Sequence, residues 1–300
     1  MGDIAALDIM NHPTEADRSL WADKFDYKEF QIMTRTTFRT VFKGVVPDQE
    51  TLRNSPALQG HDSVQDLLSE MDRLGYDKVV ITATKMWSPY HHRDFILNYP
   101  VSLVAKMVEE GKGRIIGAAS YDPFRISDSL AEIETAVREH DFRYVWFHPL
   151  SFGLEPNDRR FYPLYAKCQE LGIPVGLQVG HSAEVLPSNG GRPMLVDDVA
   201  IEFPDLKINL SHTGWPWVDE WCSMLWRHPN VYGDISAYFP SSLDQNLVRF
   251  MDSSRGRHKV LFGTNGLGLE RCKSDFLALD IKDSTKQMVL HDNVAEFLGL

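Results

Sequence analysis

Eight times along this chain a short run of apolar and strand-favouring residues stops at a polar or glycine tip, with stretches of helical spacing between the runs. The runs open near Ile4, Lys78, Arg114, Arg143, Pro174, Lys207, Val231 and Lys259. Strands that are apolar throughout need both faces covered, and helices between successive strands supply that cover in a parallel sheet. Eight such units predict an α/β fold, a (β/α)8 TIM barrel, whose chemistry gathers at the carboxyl ends of the strands. No linker, low-complexity tract or composition break interrupts the pattern, so residues 1–300 are expected to form a single domain. One connection departs from it. The segment from Pro13 to Gly60 is too long for an ordinary strand-to-helix loop and is rich in aromatic and charged residues, which predicts a lid-like insertion after strand 1, over residues 13–60.

The strand tips supply the candidate site. The first strand ends at Asp8-Ile-Met10-Asn-His12, the fourth at Trp-Phe-His148 and the fifth at Gln178-Val-Gly-His181. The last three end at Ser-His212, Gly-Asp234 and Gly-Thr-Asn265. Histidine titrates near neutrality, so His212, His148 and His12 are candidate acids, bases or hydrogen-bond donors, although a buried histidine can simply pair with a carbonyl. Asp234 and Asp8 could orient a histidine or act as structural acceptors. Gln178 and Asn265 carry amide N–H groups that could hold a carbonyl or carboxylate. Arg35 and Arg39, four residues apart, would share a helix face and could clamp a carboxylate or simply form a solvated surface. Trp87, Trp215, Trp217 and Trp221 are expected around the mouth, suiting a flat or apolar substrate, while the adjacent His91 and His92 read as peripheral.

Composition narrows the partners. Forty-two acidic against thirty-one basic residues give a formal charge of −11, a field that repels nucleic acid and anionic membrane surfaces and leaves a small molecule as the expected ligand. No apolar run approaches the roughly 18 residues of a membrane span. The start, Met1-Gly-Asp-Ile, lacks the basic and apolar stretches of a secretory signal, which predicts a cytoplasmic protein. Cys168, Cys222 and Cys272 are odd in number and far apart, as reduced, mostly buried thiols would be.

These tips resemble the amidohydrolase-related proteins of the aminocarboxymuconate-semialdehyde decarboxylase type. The residues that carry the likeness are Phe147-His148-Pro149, the segment from Glu155 to Tyr165, Ser211-His212-Thr-Gly-Trp-Pro-Trp217, Asn230-Val-Tyr-Gly-Asp234, Phe262-Gly-Thr and the ending from Asn293 to Leu300. The resemblance covers nearly the whole chain and implies the same barrel, commonly as a homodimer. It also implies a divalent metal, most often zinc, held by a His-x-His on the first strand, a His on the fifth and an Asp on the eighth, with a His on the sixth moving protons. His212 keeps the proton-moving position, but the metal positions read Met10-Asn-His12, Gln178 and Asn265. Thioether and carboxamide are poor ligands for such an ion, so a degenerate metal site and no cofactor are expected. A zinc or other divalent ion helped by His181 is the alternative. An engineered Asp-to-Asn exchange would explain Asn265 but neither Met10 nor Gln178.

The function this predicts is a hydrolase or lyase of a small cyclic or aromatic carbonyl or carboxylate compound, working without a catalytic metal and with His212 as general acid and base. Two alternatives stand beside it. One is metal-dependent non-oxidative decarboxylation, and the other is a non-catalytic barrel that binds a ligand or partner.

Overall fold

A computed structural model describes residues 4–300. Met1-Gly-Asp, on which the reading of the amino terminus partly rests, lies outside the described residues. The strands in chain order are β1 (Ala6–Asn11), β2 (Tyr76–Thr82), β3 (Lys85–Trp87), β4 (Phe95–Asn98), β5 (Ile115–Ala119), β6 (Tyr144–Phe147), β7 (Val175–Gln178), β8 (Ile208–Ser211), β9 (Val231–Asp234) and β10 (Val260–Leu261). Eight of them form one parallel sheet in the order β1-β2-β5-β6-β7-β8-β9-β10. Its two ends meet where Ile9 N–H donates to Phe262 O at 3.0 Å and Asn265 N–H donates to Met10 O at 2.8 Å, which brings the sheet round into a barrel. Every residue of β1 and of β5 through β10 is buried, which is why these strands are largely apolar rather than alternating, with their few polar members such as Asp8 and Asp234 buried as well.

The helices follow from ordinary start and stop chemistry. Helix Val64–Leu74 is capped by Ser63, whose Oγ accepts the Asp66 N–H at 3.2 Å while donating to the Asp66 carboxylate at 2.7 Å. It ends at Gly75 with φ 68°, and between these stops it buries Val64, Leu67, Leu68 and Met71 against the barrel. The helix after β2 is delayed by a hairpin. Phe95–Asn98 pairs with Lys85–Trp87 as an antiparallel hairpin, and the helix begins at Val101, just after Pro100. A proline disfavours helical backbone in the residue before it and fits the first turn that follows.

The amino-terminal end of the barrel is filled. Phe297 from helix Asn293–Leu298 meets Tyr144 and Tyr232 edge-on at 5.8 and 5.1 Å, within a cluster that includes Leu7, Val80, Ile116 and Leu261. A Cβ on Gly176 would lie 1.6 Å from the Tyr144 hydroxyl, so β7 needs glycine there to admit that ring. Only the carboxyl end is left to hold a ligand. The segment over residues 13–60 carries six short helical pieces, from Pro13–Glu15 to Gln49–Arg53. Among the described residues no helix is long and apolar enough to cross a membrane. Cys168 and Cys272 are buried free thiols, and Cys222 is half-buried.

Candidate active site

A cavity of about 480 Å³ opens at the carboxyl ends of the strands, within the range of small-molecule sites. Trp146, near the end of β6, lies at its base. The ring is edge-on to His12 at 6.0 Å and to His148 at 5.9 Å, and tilted against His212 at 6.1 Å. Its Nε1 donates to Ser211 Oγ at 3.0 Å, fixing the indole between the three imidazoles. Trp146 was absent from the sequence-derived candidates, although it shares a strand face with His148 two residues on, the signal that could have found it.

His212 is held by a buried hydrogen-bond chain. Its Nδ1 lies 2.7 Å from Ser236 Oγ, and Ser236 Oγ donates its one hydrogen to Asp234 Oδ1. Ser236 must then accept from His212 Nδ1–H, which leaves a lone pair on Nε2 for the cavity that His212 lines. Asp234 is fully buried and also accepts Asn209 Nδ2–H at 2.7 Å, Ser211 Oγ–H at 2.6 Å, the backbone N–H of His212 at 3.2 Å and that of Ser236 at 3.0 Å. These bonds hold His212 at φ 75°, a left-handed conformation unusual for histidine. Burial lowers the His212 pKa below its ordinary value, with Asp234 opposing that shift.

His148 and His12 are both tied into hydrogen bonds at the cavity. His148 Nδ1 accepts the Ser151 N–H at 3.2 Å, so Nε2 carries the proton and donates to Ser182 Oγ at 3.2 Å. With both nitrogens engaged, His148 is placed as a hydrogen-bond donor, one of the expected roles, rather than as a free acid or base. His12 Nδ1 lies 2.8 Å from Thr84 Oγ1, and its other edge faces Asn265. Burial lowers both pKa values to about 3, with His212 contributing further, so both rings are neutral at pH 7.

For His148, only 2% exposed, this has a stability consequence. The unfolded chain takes up a proton below about 6.5, whereas the folded protein resists it down to about 3. Stability from this group is therefore complete above pH 6.5 and lost as pH falls through that window. At pH 5 the loss should be about 2 kcal/mol. His148→Gln should flatten the fall in urea-unfolding free energy between pH 7 and 5 by that amount, and an unchanged slope would count against the assignment.

The remaining candidates divide. Asn265 lines the cavity at φ 51°, and its Oδ1 is buried without a hydrogen-bond partner. Gln178 also lines it, but Nε2 donates to Val179 O at 2.9 Å and His181 O at 3.1 Å, so its amide hydrogens are not free for a substrate as expected. His181 and Trp215 stand at the rim with rings 5.1 Å apart, Trp215 being 49% exposed. Asp8 reaches no histidine; it ties β1 to β10 by accepting from Thr264 N and Oγ1 at 3.0 and 2.6 Å, and burial raises its pKa to about 7.

Five aromatic and basic candidates do not line the cavity, and one of them, Trp217, packs its ring 5.8 Å from that of His181. Arg35 and Arg39 are exposed, do not line the cavity and share no helix, because Lys28–Met33 ends before the first and Arg39–Phe42 begins at the second. Trp87 stacks on Phe124 at 4.5 Å away from the cavity, and Trp221 is fully buried with its Nε1 donating to Leu210 O. Besides Trp146, the missed cavity residues include Ser182 and Glu184, on the loop after β7. Nothing local marks them, since their place depends on where that loop crosses the barrel mouth.

A filled barrel with buried imidazoles around an open carboxyl-end cavity defines an enzyme of the hydrolase or lyase kind. The chain belongs to the amidohydrolase family, whose model matches residues 47–300. No curated protein matches it. Solved structures match along almost the whole chain, and these likenesses show the fold. An uncharacterized TIM-barrel protein from Bordetella bronchiseptica is 23% identical, with 98% of each chain covered and a TM-score of 0.74. A 2,6-dihydroxybenzoate decarboxylase complexed with 2,6-dihydroxybenzoate is 13% identical, with 99% of each chain covered and a TM-score of 0.66. A dihydroxybenzoic acid decarboxylase from Polaromonas sp. JS666, with bound manganese and the inhibitor 2-nitroresorcinol, is 16% identical, covered over 99% of this chain and 97% of that one, with a TM-score of 0.66.

The expectation that no cofactor belongs to such a site is overturned by that bound manganese. The donor set of this chain nonetheless does not fit a metal of that kind. Met10 is fully buried in the barrel core away from the cavity, and Gln178 and Asn265 offer carboxamides. Among the described residues no group of three or more His, Cys, Asp or Glu side chains is arranged to hold a metal ion.

Proposed function

We propose that this amidohydrolase is a lyase that removes the carboxylate of a small hydroxylated aromatic acid as CO2. The observation that carries this reading is the His212–Ser236–Asp234 chain, which leaves Nε2 of His212 free to take a proton in a cavity also lined by Trp146. Further support comes from the fold likeness to decarboxylases of dihydroxybenzoic acids. In the proposed reaction His212 Nε2 takes a phenolic proton, and the resulting phenolate raises electron density at the ring carbon bearing the carboxylate. The imidazolium, held by Ser236 and Asp234, returns that proton to this carbon. The carbon–carbon bond then breaks, its electron pair restores the aromatic ring, and CO2 departs. Water re-protonates the phenolate.

Hydrolysis of an aromatic carbonyl compound is the second reading, favoured by one observation: Asn265 is a carboxamide and cannot itself deliver a proton. Incubation with hydroxybenzoates and with matched aryl esters separates the two. CO2 release from the acids supports the lyase, whereas ester cleavage without CO2 replaces it by the hydrolase. The proposal also keeps residues 13–60 as a cover, since Thr37 lines the cavity and its Oγ1 donates to Ala183 O at 3.1 Å. A cytoplasmic homodimer is part of the same reading, and sedimentation as a monomer at micromolar concentration would remove the dimer.

A further inference from the structure

We propose that Ser182 and Glu184 form the subsite that receives the substrate's carboxylate, with Glu184 taking up a proton as the anion enters. The inference rests on the function proposed above and adds a binding pair that no residue of the strand tips supplies. Both residues line the cavity, and Ser182 is 8% exposed. Ser182 Oγ accepts from His148 Nε2–H at 3.2 Å and donates its own hydrogen to Glu184 Oε2. The Nε2–H tautomer of His148, set by the Ser151 N–H, prevents His148 from drawing a proton off Ser182. Ser182 is therefore a donor to the cavity rather than an activated nucleophile.

The surroundings of Glu184 lack positive charge. Among the described residues no Lys or Arg lines the cavity. From helix Lys28–Met33 the fully buried Glu29 faces it electrostatically, with one oxygen bonded to Ser88 Oγ and the other without a partner. From the end of β6 comes His148, neutral, acting through Ser182, and from its own loop comes the exposed His181. Burial raises the Glu184 pKa, and Glu29 adds to that shift.

A second carboxylate entering this space places like charges side by side, and one of the pair must protonate. Once Glu184 is neutral, its O–H donates to the incoming anion. Ser182, no longer needed by an ionised Glu184, turns its hydroxyl hydrogen to the same anion. The balance is one substrate carboxylate and one solvent proton bound together, with no covalent change.

The test is calorimetric binding of 2,6-dihydroxybenzoate to the full chain at pH 7 in buffers of different ionisation enthalpy. The wild-type protein should take up about one proton per ligand bound. Glu184→Gln, which keeps a neutral donor, should take up none and bind within about threefold of wild type. Ser182→Ala should bind about tenfold more weakly while still taking up the proton. Equal uptake in wild type and Glu184→Gln, no uptake in wild type, or no binding at millimolar ligand would each overturn the proposal. The same proteins assayed for CO2 separate the two readings. Proton-linked binding without CO2 release removes the lyase and leaves the subsite; CO2 release without proton-linked binding does the reverse.

Discussion

His212→Gln should lower kcat for CO2 release by about 10²–10⁴-fold and shift KM by less than about threefold. The asymmetry follows from where the residue acts. In the proposed reaction His212 Nε2 carries the proton in the transition state, whereas binding of the ring would be shared with Trp146 and the rim, which line the same cavity. Glutamine removes the titratable nitrogen with modest change in size. Ser236→Ala should fall between the two, because it leaves the imidazole in place but removes the group joining Nδ1 to Asp234. Its diagnostic readout is the acidic limb of the kcat–pH profile, which should move down when Asp234 no longer supports the imidazolium through Ser236. Wild-type kcat in His212→Gln would exclude this histidine from the chemistry.

Asp234→Ala should cost roughly 3–5 kcal/mol of unfolding free energy, the largest stability effect expected at the site. The carboxylate gathers side-chain donors from Asn209, Ser211 and Ser236 and the backbone N–H groups of His212 and Ser236 in a fully buried position. Removing it leaves several buried donors without an acceptor, and each such loss costs about 1–3 kcal/mol before relaxation. It also releases the backbone of His212 from φ 75°, so activity should fall with stability. Urea unfolding checks the first effect, and a loss under 1 kcal/mol would show that water or neighbouring groups satisfy these donors instead.

The barrel was legible because its signal is local. Strands buried on both faces are mostly apolar, and β5 through β10 are buried at every position. Residues at the strand ends were legible for the same reason: a carboxyl-end tip points to one mouth, and His12, His148, Gln178, His212 and Asn265 all line it. Their chemistry was less legible. Whether His148 has a free nitrogen depends on Ser151 N–H and on Ser182, thirty-four residues away. Gln178 spends its amide on its own loop, which the residue type does not reveal. Arg35 and Arg39 were placed on one helix by spacing, but the helix ends at Met33. Trp87 and Trp221 found partners off the mouth in Phe124 and Leu210 O. The hairpin β3–β4 pairs runs too short to stand out from the helix that follows.

The most direct measurement is proton NMR of 2,6-dihydroxybenzoate incubated with the protein in D2O, with and without added manganese. If His212 moves the proton in decarboxylation, the wild type yields resorcinol carrying deuterium at the carbon that bore the carboxylate, and His212→Gln yields little or none under the condition that supports turnover. Unchanged benzoate with the wild type in both conditions, or equal deuterated product from His212→Gln, would contradict the account.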